Sequence, residues 1–281
     1  MVCTRSCLRC KPRGTGSEVR TIIMPDFDSL ASTFDQYRSW PAGVPEAIRA
    51  AVWRAAESPR GARVLDLGAG TGRIGRAFVA AGDRYIGIDS SLEMLRQFQR
   101  QAGQSRARTP LLVQALGERL PFPDASIDVV LLMHLLSGAG NWRGLLQDAR
   151  RVMRPGGVLI VGQASGPESG VDAKMKSEVA RILSGLGQAA DPPRRRREKA
   201  IESLEAAAAR SRRVVAASWH TERSPRMFLE RHRTGHRFAE LPGAVQDEVL
   251  RQLSAWAESA FGSLDRVSQE LYHFELLAFE F

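Results

Sequence analysis

Between Val64 and Arg73 the chain reads Val-Leu-Asp-Leu-Gly-Ala-Gly-Thr-Gly-Arg, with glycines at 68, 70 and 72 and a carboxylate at 66. Alternating glycines where an apolar strand turns into a helix let the backbone approach a ligand and offer it amides. Two chemistries compete for this stretch. Gly70, Gly72 and Gly75 satisfy G-x-G-x-x-G, and Asp89 follows at about the distance a dinucleotide site needs. In that fingerprint, however, the first glycine follows the strand directly, whereas here Asp66-Leu67-Gly68-Ala69 intervenes. An acid so close to the glycines also repels a pyrophosphate and suits a cationic ligand. Asp89 closes a second apolar strand, where a carboxylate can accept two hydrogen bonds from a cis-diol. His134 follows a later apolar strand, at a place where a general base would sit for a hydroxyl or protonated amine; the competing reading is a packing histidine.

These residues need a scaffold, and the pattern supplies one. Apolar runs at 63–67, 84–88, 111–115, 127–133 and 157–162 alternate with helical spacing at 73–81, 92–101 and 143–153, which predicts an open parallel sheet with helices on both faces. Residues 1–25 read as a disordered tail and 26–60 as N-terminal helices, interrupted at Pro41 and Pro45, over the ligand loop. Residues 61–165 form the ligand-binding core. Residues 166–281 supply helices near 170–187, 194–210, 224–233 and 243–261 and two last strands, 213–219 and 271–279. The segment 220–269 is too long for a simple connection and is expected to form a helical cap, with Trp219, Phe228, Phe238, Trp256, Phe261 and Tyr272 in its interior. His220, His232 and His236 fall in this cap and read mainly as surface.

The ordered motifs resemble those of class I S-adenosylmethionine-dependent methyltransferases, of the type 11-like, small-molecule kind. VLDLGAGTGR at 64–73 is close to the family's first motif, an acid two residues before G-x-G-x-G. Ile86-Gly87-Ile88-Asp89, then Ser90-Ser91-Leu92-Glu93-Met94, resembles the second. Glu118-Arg119-Leu120-Pro121-Phe122-Pro123-Asp124, Ser126-Ile127-Asp128-Val129-Val130 and Arg151-Val152-Met153-Arg154-Pro155-Gly156-Gly157 match three further stretches in order. The resemblance implies a doubly wound, mostly parallel seven-stranded sheet of Rossmann-like form, with the C-terminal helical cap beside it. It implies S-adenosylmethionine as methyl donor, no metal, and release of S-adenosylhomocysteine. Gly68, Ala69, Gly70 and Gly72 would shape the methionine side, and Asp66 would hold the loop or meet the amine. Asp89, with Ser90 and Met94, would serve the ribose; Ala115, Leu116, Gly117 and Met133 would line the rest of the cofactor. Leu116 departs from the pattern, because the family usually has an adenine-binding aspartate there; one lost hydrogen bond is worth only about 0.5–1.5 kcal/mol. Phe34-Asp35-Gln36-Tyr37-Arg38 resembles an element that closes over the cofactor through Tyr37 and Arg38, and reads equally as an amphipathic surface helix.

Composition bounds the acceptor. With 43% hydrophobic and 25% charged residues in 281, the chain is of ordinary globular type, which excludes collagen-like and wholly disordered classes. No uninterrupted apolar run approaches the roughly 20 residues of a membrane span, and no apolar run follows the N-terminal charges, so a cytoplasmic protein is expected. The net charge of +9 is concentrated: residues 174–237 carry +9 and 238–281 carry −6. No aromatic residue lies between Val171 and Trp219, so Arg194–Arg197, Arg210, Arg212 and Arg213 read as a solvated helical surface sooner than as a nucleic-acid groove. The strand ending Leu132-Met133-His134-Leu135 lacks the N/D-P-P-Y/F of amino-group methylation, and Asp191-Pro192-Pro193-Arg194 reads as a surface turn. Cys3, Cys7 and Cys10 resemble a radical S-adenosylmethionine cluster motif, but Arg9 holds the place of its aromatic residue and no strand precedes it. A body without cysteine also has no nucleophile for cytosine carbon methylation. The expected partner is a small-molecule acceptor, with nucleic-acid methylation or a non-catalytic cofactor-binding role as alternatives.

Overall fold

The structure is a computed structural model, and it describes residues 38, 40–58, 61–103, 109–188, 193–233, 235–239 and 241–281. The expectations for the N-terminal tail, the cysteine motif and Tyr37 fall outside these residues.

Seven strands form one sheet. β1 (Arg63–Leu67), β2 (Arg84–Asp89), β3 (Leu111–Gln114), β4 (Ile127–Met133) and β5 (Met153–Ser165) are parallel; β6 (Arg210–Arg223) and β7 (Ser268–Glu280) pair antiparallel, with β7 also antiparallel to β5. The order is β3-β2-β1-β4-β5-β7-β6, so the sequence of strands reverses between β1 and β4. That reversal opens a crevice at the strands' carboxyl ends, where ligands of open α/β sheets bind. Ile-Asp-Val-Val-Leu-Leu-Met of β4 is buried at every position, the mark of a central strand covered on both faces.

Strand alternation sorts the side chains to two faces. Val64, Val129, Leu131, Val158, Ile160, Phe274 and Leu276 pack with α1 (Val44–Ala56), α2 (Gly75–Ala80) and α3 (Leu92–Ala102). Leu65, Leu67, Val130, Leu132, Leu159 and Phe279 pack with α4 (Trp142–Val152) and with Ala200 and Leu204 of a later helix. The caps fit the sequence: the Ser91 hydroxyl accepts the Met94 amide at the start of α3, and the Asn141 side chain accepts the Gly144 amide at the start of α4.

A third apolar group stands apart from the sheet. α5 (Val171–Gly185), α7 (Pro225–Arg233), α8 (His236–Ala239) and α9 (Gly243–Phe261) bury Val171, Met175, Ile182, Phe228, Leu229, Phe238, Val249 and Leu253 among themselves. α6 (Pro193–Ala207) contains Arg194–Arg197 in its first turns, so that run is a helix start and not a linker.

The last two strands are longer than their apolar spans of 213–219 and 271–279. β6 pairs with β7 from Arg210 to Arg223 because backbone pairing on a partly exposed edge needs no apolar side chains. Trp219 and Tyr272 lie outside the interior of the helical group: register pairs them with each other on the sheet, Trp219 packs toward the α1 face, and only the Tyr272 hydroxyl reaches α5, at Asp172. Phe228, Phe238, Trp256 and Phe261 do belong to the helical group.

Candidate functional site

The loop after β1 is built as its glycines require. Gly68, Gly70 and Gly72 have φ of 75°, 55° and 79°, in the left-handed region that side chains disfavour. A Cβ on Gly68 would sit 2.9 Å from Leu135 Cδ1, and one on Gly72 would overlap the Phe98 ring; at Gly70 nothing lies nearer than 4.0 Å, so the backbone is open there. The amides of Gly68 and Ala69 both donate to the Ile88 carbonyl at 2.8 Å, which ties the loop to the end of β2.

Two carboxylates flank the loop in different states. Asp66 is only 2% exposed; its Oδ2 accepts the Tyr85 hydroxyl at 2.7 Å, while its Oδ1 is buried with no hydrogen-bond partner among the described residues. Burial pushes its pKa up to about 7, opposed by the Tyr85 hydrogen bond and assisted by the charge of Asp89. Burial beside Asp66 likewise drives the Tyr85 phenol well above its ordinary range. Asp89 is clasped by backbone: Oδ2 accepts the Gly70 amide and Oδ1 the Ser91 amide, each at 2.9 Å. Tyr85 was not among the residues singled out from the motifs. Its position two before Gly87 carries no chemical signal, and only the sheet register brings it across to Asp66.

The remaining expected residues gather unevenly. Ser90 lies beside Asp89, and its carbonyl accepts Gln114 Nε2 at 3.0 Å. Met94 is buried in the first turn of α3. The Ala115 amide donates to the Asp89 carbonyl at 3.1 Å, Leu116 is 46% exposed, and a Cβ on Gly117 would come within 2.9 Å of Leu145. Met133 is buried at the end of β4. Arg38 reaches the carbonyl of Arg231 on α7 at 3.0 Å, linking the N-terminal side to the helical group.

His134 sits just past β4 with φ of 56°, its amide donating to the Gly162 carbonyl at 2.8 Å. A non-glycine residue there is strained, and such strain concentrates at functional sites. The ring stacks on Trp40 at 5.6 Å between centroids and meets Phe274 edge-on at 5.5 Å. Desolvation by the surrounding protein, then the charges of Arg73, Lys176 and Arg197, push its pKa down to about 3. Part of the residue is exposed, and the imidazole is neutral at neutral pH. His232 is held between Phe228 and Phe238 in the helical group, while His220 is exposed. The side chain of His236 is outside the description.

Part of the basic stretch is ion-paired. Arg194 pairs with Glu198, Arg212 with Glu57 and Glu280, and Arg213 with Glu275. A shallow groove lined by Arg63, Asp83, Arg84 and Pro110 lies at the opposite ends of the strands, away from the glycine loop.

Residues 65–161 match the family model described as a methyltransferase domain. Among curated relatives, the chain is 39% identical over 107 residues to a demethylmenaquinone methyltransferase of Tropheryma whipplei, covering 38% of this chain and 44% of that protein. It is 35% identical over 157 residues to one of a Parafrankia species, covering 50% and 62%. The chain therefore spans less than two thirds of the length of these relatives. The crystal structure of the YcgJ protein from Bacillus subtilis shares the fold, with a TM-score of 0.56 and 18% identity over 84% of this chain and 98% of that one.

Proposed function

We propose that this chain, whose residues 65–161 match a methyltransferase-domain family model, is a class I enzyme that transfers a methyl group from S-adenosylmethionine to a small-molecule acceptor. The observation that carries the reading is the pair of features at the glycine loop: open backbone at Gly70, and a buried Asp66 oxygen without a partner. An open cradle with an unsatisfied acceptor fits a ligand bearing an ammonium group. Asp66 Oδ1 is the acceptor for that amine, and Gly68, Ala69, Gly70 and Gly72 pass along the methionine side. Asp89, oriented by the amides of Gly70 and Ser91, takes the ribose hydroxyls; a carboxylate has about four lone-pair sites, so backbone bonds and a diol are compatible. Ser90 and Met94 support that end, and Ala115, Leu116, Gly117 and Met133 border the adenine and the sulfur. Arg38 approaches the ligand from the N-terminal side.

When bound, the sulfonium supplies an electrophilic methyl group. The chain's task is alignment of an acceptor atom in line with it, and exclusion of water. His134, neutral and of lowered basicity, is better suited to contact the acceptor than to remove a proton from an alcohol. The α5, α7, α8 and α9 group acts as the acceptor-side cap of a doubly wound sheet. The names of the two relatives make a quinol-like ring one candidate acceptor. Ion pairing of the basic stretch weighs against a nucleic-acid track.

Calorimetric titration with S-adenosylhomocysteine, with oxidised nicotinamide dinucleotide as control, tests the reading. Micromolar binding of the first alone is expected. Binding of the dinucleotide alone would make the site an oxidoreductase site and sink the proposal.

A further inference from the structure

Beyond the glycine loop the sheet does not end evenly. β5 runs past the end of β4, where Gly162 is level with Met133, and its overhang pairs Ala164 with Phe274 and Ser165 with His273. β7 and β6 continue this projection to Ser268 and Arg223. One face of the projecting blade is aromatic. Trp40 contacts His134, Phe274 and Trp219 with ring centroids 5.4–5.6 Å apart, and Trp219 contacts Tyr272 at 6.1 Å. The blade is joined to the loop through the segment after β4, since Leu135 closes on Gly68 and Arg73, next after Gly72, lies 4.5 Å over the Trp40 ring.

The same wall carries positive charge and hydrogen-bond donors. Arg223 lies 4.7 Å over the Tyr272 ring, and Lys176 is exposed one helical turn after Asp172 on α5. Trp40 Nε1 is buried with no acceptor among the described residues. Two acids lie on the wall. Asp172 is held by Arg231 at 2.5 Å, by the Tyr272 hydroxyl at 3.0 Å and by Arg223 at 3.7 Å; Glu270 Oε1 accepts the Val171 amide at 2.7 Å, while its Oε2 is buried without a partner among the described residues. Aromatic rings, the Trp40 N–H and the cations Arg223 and Lys176 therefore converge beside the place where a methyl group would be presented, with Asp172 already ion-paired.

Building on the methyl-transfer reading, we propose that this wall receives the acceptor, and that the acceptor is a planar aromatic molecule bearing an ionised acidic group. Its ring lies against the partly exposed Trp40 and Trp219, and its negative charge faces Arg223 and Lys176. Such a site also favours the anionic form of an acceptor hydroxyl, so the nucleophile can arrive deprotonated without a protein base. The oxygen then forms the new bond to the methyl carbon as the carbon–sulfur bond breaks, and the electron pair remains on the sulfur of the departing thioether.

Tryptophan fluorescence reads the proposal without requiring turnover. The native protein is titrated with 2-naphthoate, 2-naphthamide and 2-naphthylmethylamine, three probes of one ring system and different charge. Naphthoate is expected to quench and to bind about tenfold more tightly than the amide, one charge-assisted contact's worth. Arg223→Gln and, separately, the exposed Lys176→Gln should each bring that ratio close to unity. Equal binding of acid and amide, preference for the amine, or no binding of any probe overturns the proposal. Calorimetry with S-adenosylhomocysteine on the same samples checks that the variants are folded and keeps the two readings apart. Naphthoate discrimination without S-adenosylhomocysteine binding would leave the anionic aromatic site standing and remove the methyl-transfer assignment.

Discussion

Asp66 is the residue on which the candidate site turns, because burial leaves one of its oxygens unsatisfied and raises its pKa to about 7. A carboxyl whose pKa is raised on folding binds more protons folded than unfolded between its two values, so its contribution to stability falls as pH rises through that window. The window here runs from the ordinary carboxylate range to about 7. Asp66→Asn should therefore gain stability relative to the native protein as pH rises from 4 to 7, with no further gain above, at up to roughly 1.4 kcal/mol per pH unit. Denaturant unfolding at several pH values measures this; a difference that does not change with pH would mean Asp66 is not held neutral. The same variant should weaken S-adenosylhomocysteine binding by about tenfold or more, because the ligand's ammonium would draw Asp66 into its ionised form and the amide cannot follow. Gly72→Ala is expected to be worse for folding, since its φ of 79° disfavours a side chain and the new methyl group meets Phe98. A loss of about 1–3 kcal/mol is expected from overpacking. Thermal denaturation showing an unchanged midpoint would contradict that. The motif spacing made these glycines and both acids legible, because a tight turn needs glycine whatever surrounds it. Tyr85 was not legible, because its role depends on which strand lies beside β1.

Among the elements, strand and helix alternation up to β5 could be read with small shifts in boundaries, since each strand is a short apolar run followed by a helical pattern or a turn. The last two strands were recognised but cut short. Their outer residues, Arg210–Arg212 and Glu222–Arg223, carry no apolar signal, yet backbone pairing to β7 extends across them. Three helices of the separate group, α5, α7 and α9, lie near the bounds their spacing predicts; the four-residue α8 and the mutual packing of the group are not legible in the sequence. Leu253 of α9 is fully buried in that group, and Leu253→Ala should cost about 2–5 kcal/mol through the cavity it leaves. If the group serves the acceptor side alone, S-adenosylhomocysteine affinity should remain within about twofold while naphthoate binding weakens. Equal loss of both ligands would show that the helical group and the glycine loop act as one unit.

For the molecule as a whole, charge distribution says more than net charge. The excess of +9 is partly offset locally: Arg194, Arg212 and Arg213 face glutamates, two of those partners, Glu275 and Glu280, drawn from the acidic C-terminal stretch. The native protein should show no filter-retained RNA or duplex DNA at about 50 mM salt, a condition at which phosphate contacts are strong. Salt-sensitive retention that disappears when Arg194–Arg197 are reversed in charge would restore a nucleic-acid substrate. No helix among the described residues is long and apolar enough to cross a membrane.

Local sequence carried what depends on neighbours along the chain: the glycine loop, the acids that close two strands, the alternation that makes an α/β sheet, and the resemblance to methyltransferases. These are short-range requirements of turn geometry and side-chain period, so they are written into adjacent residues. Packing in three dimensions supplied the rest. It put Tyr85 on Asp66, clasped Asp89 with two amides, gathered Trp40, Trp219, Tyr272 and Phe274 into one wall, and spent the arginines on distant glutamates. Those contacts join residues far apart in the chain, and they exist only once strand order and register have been chosen.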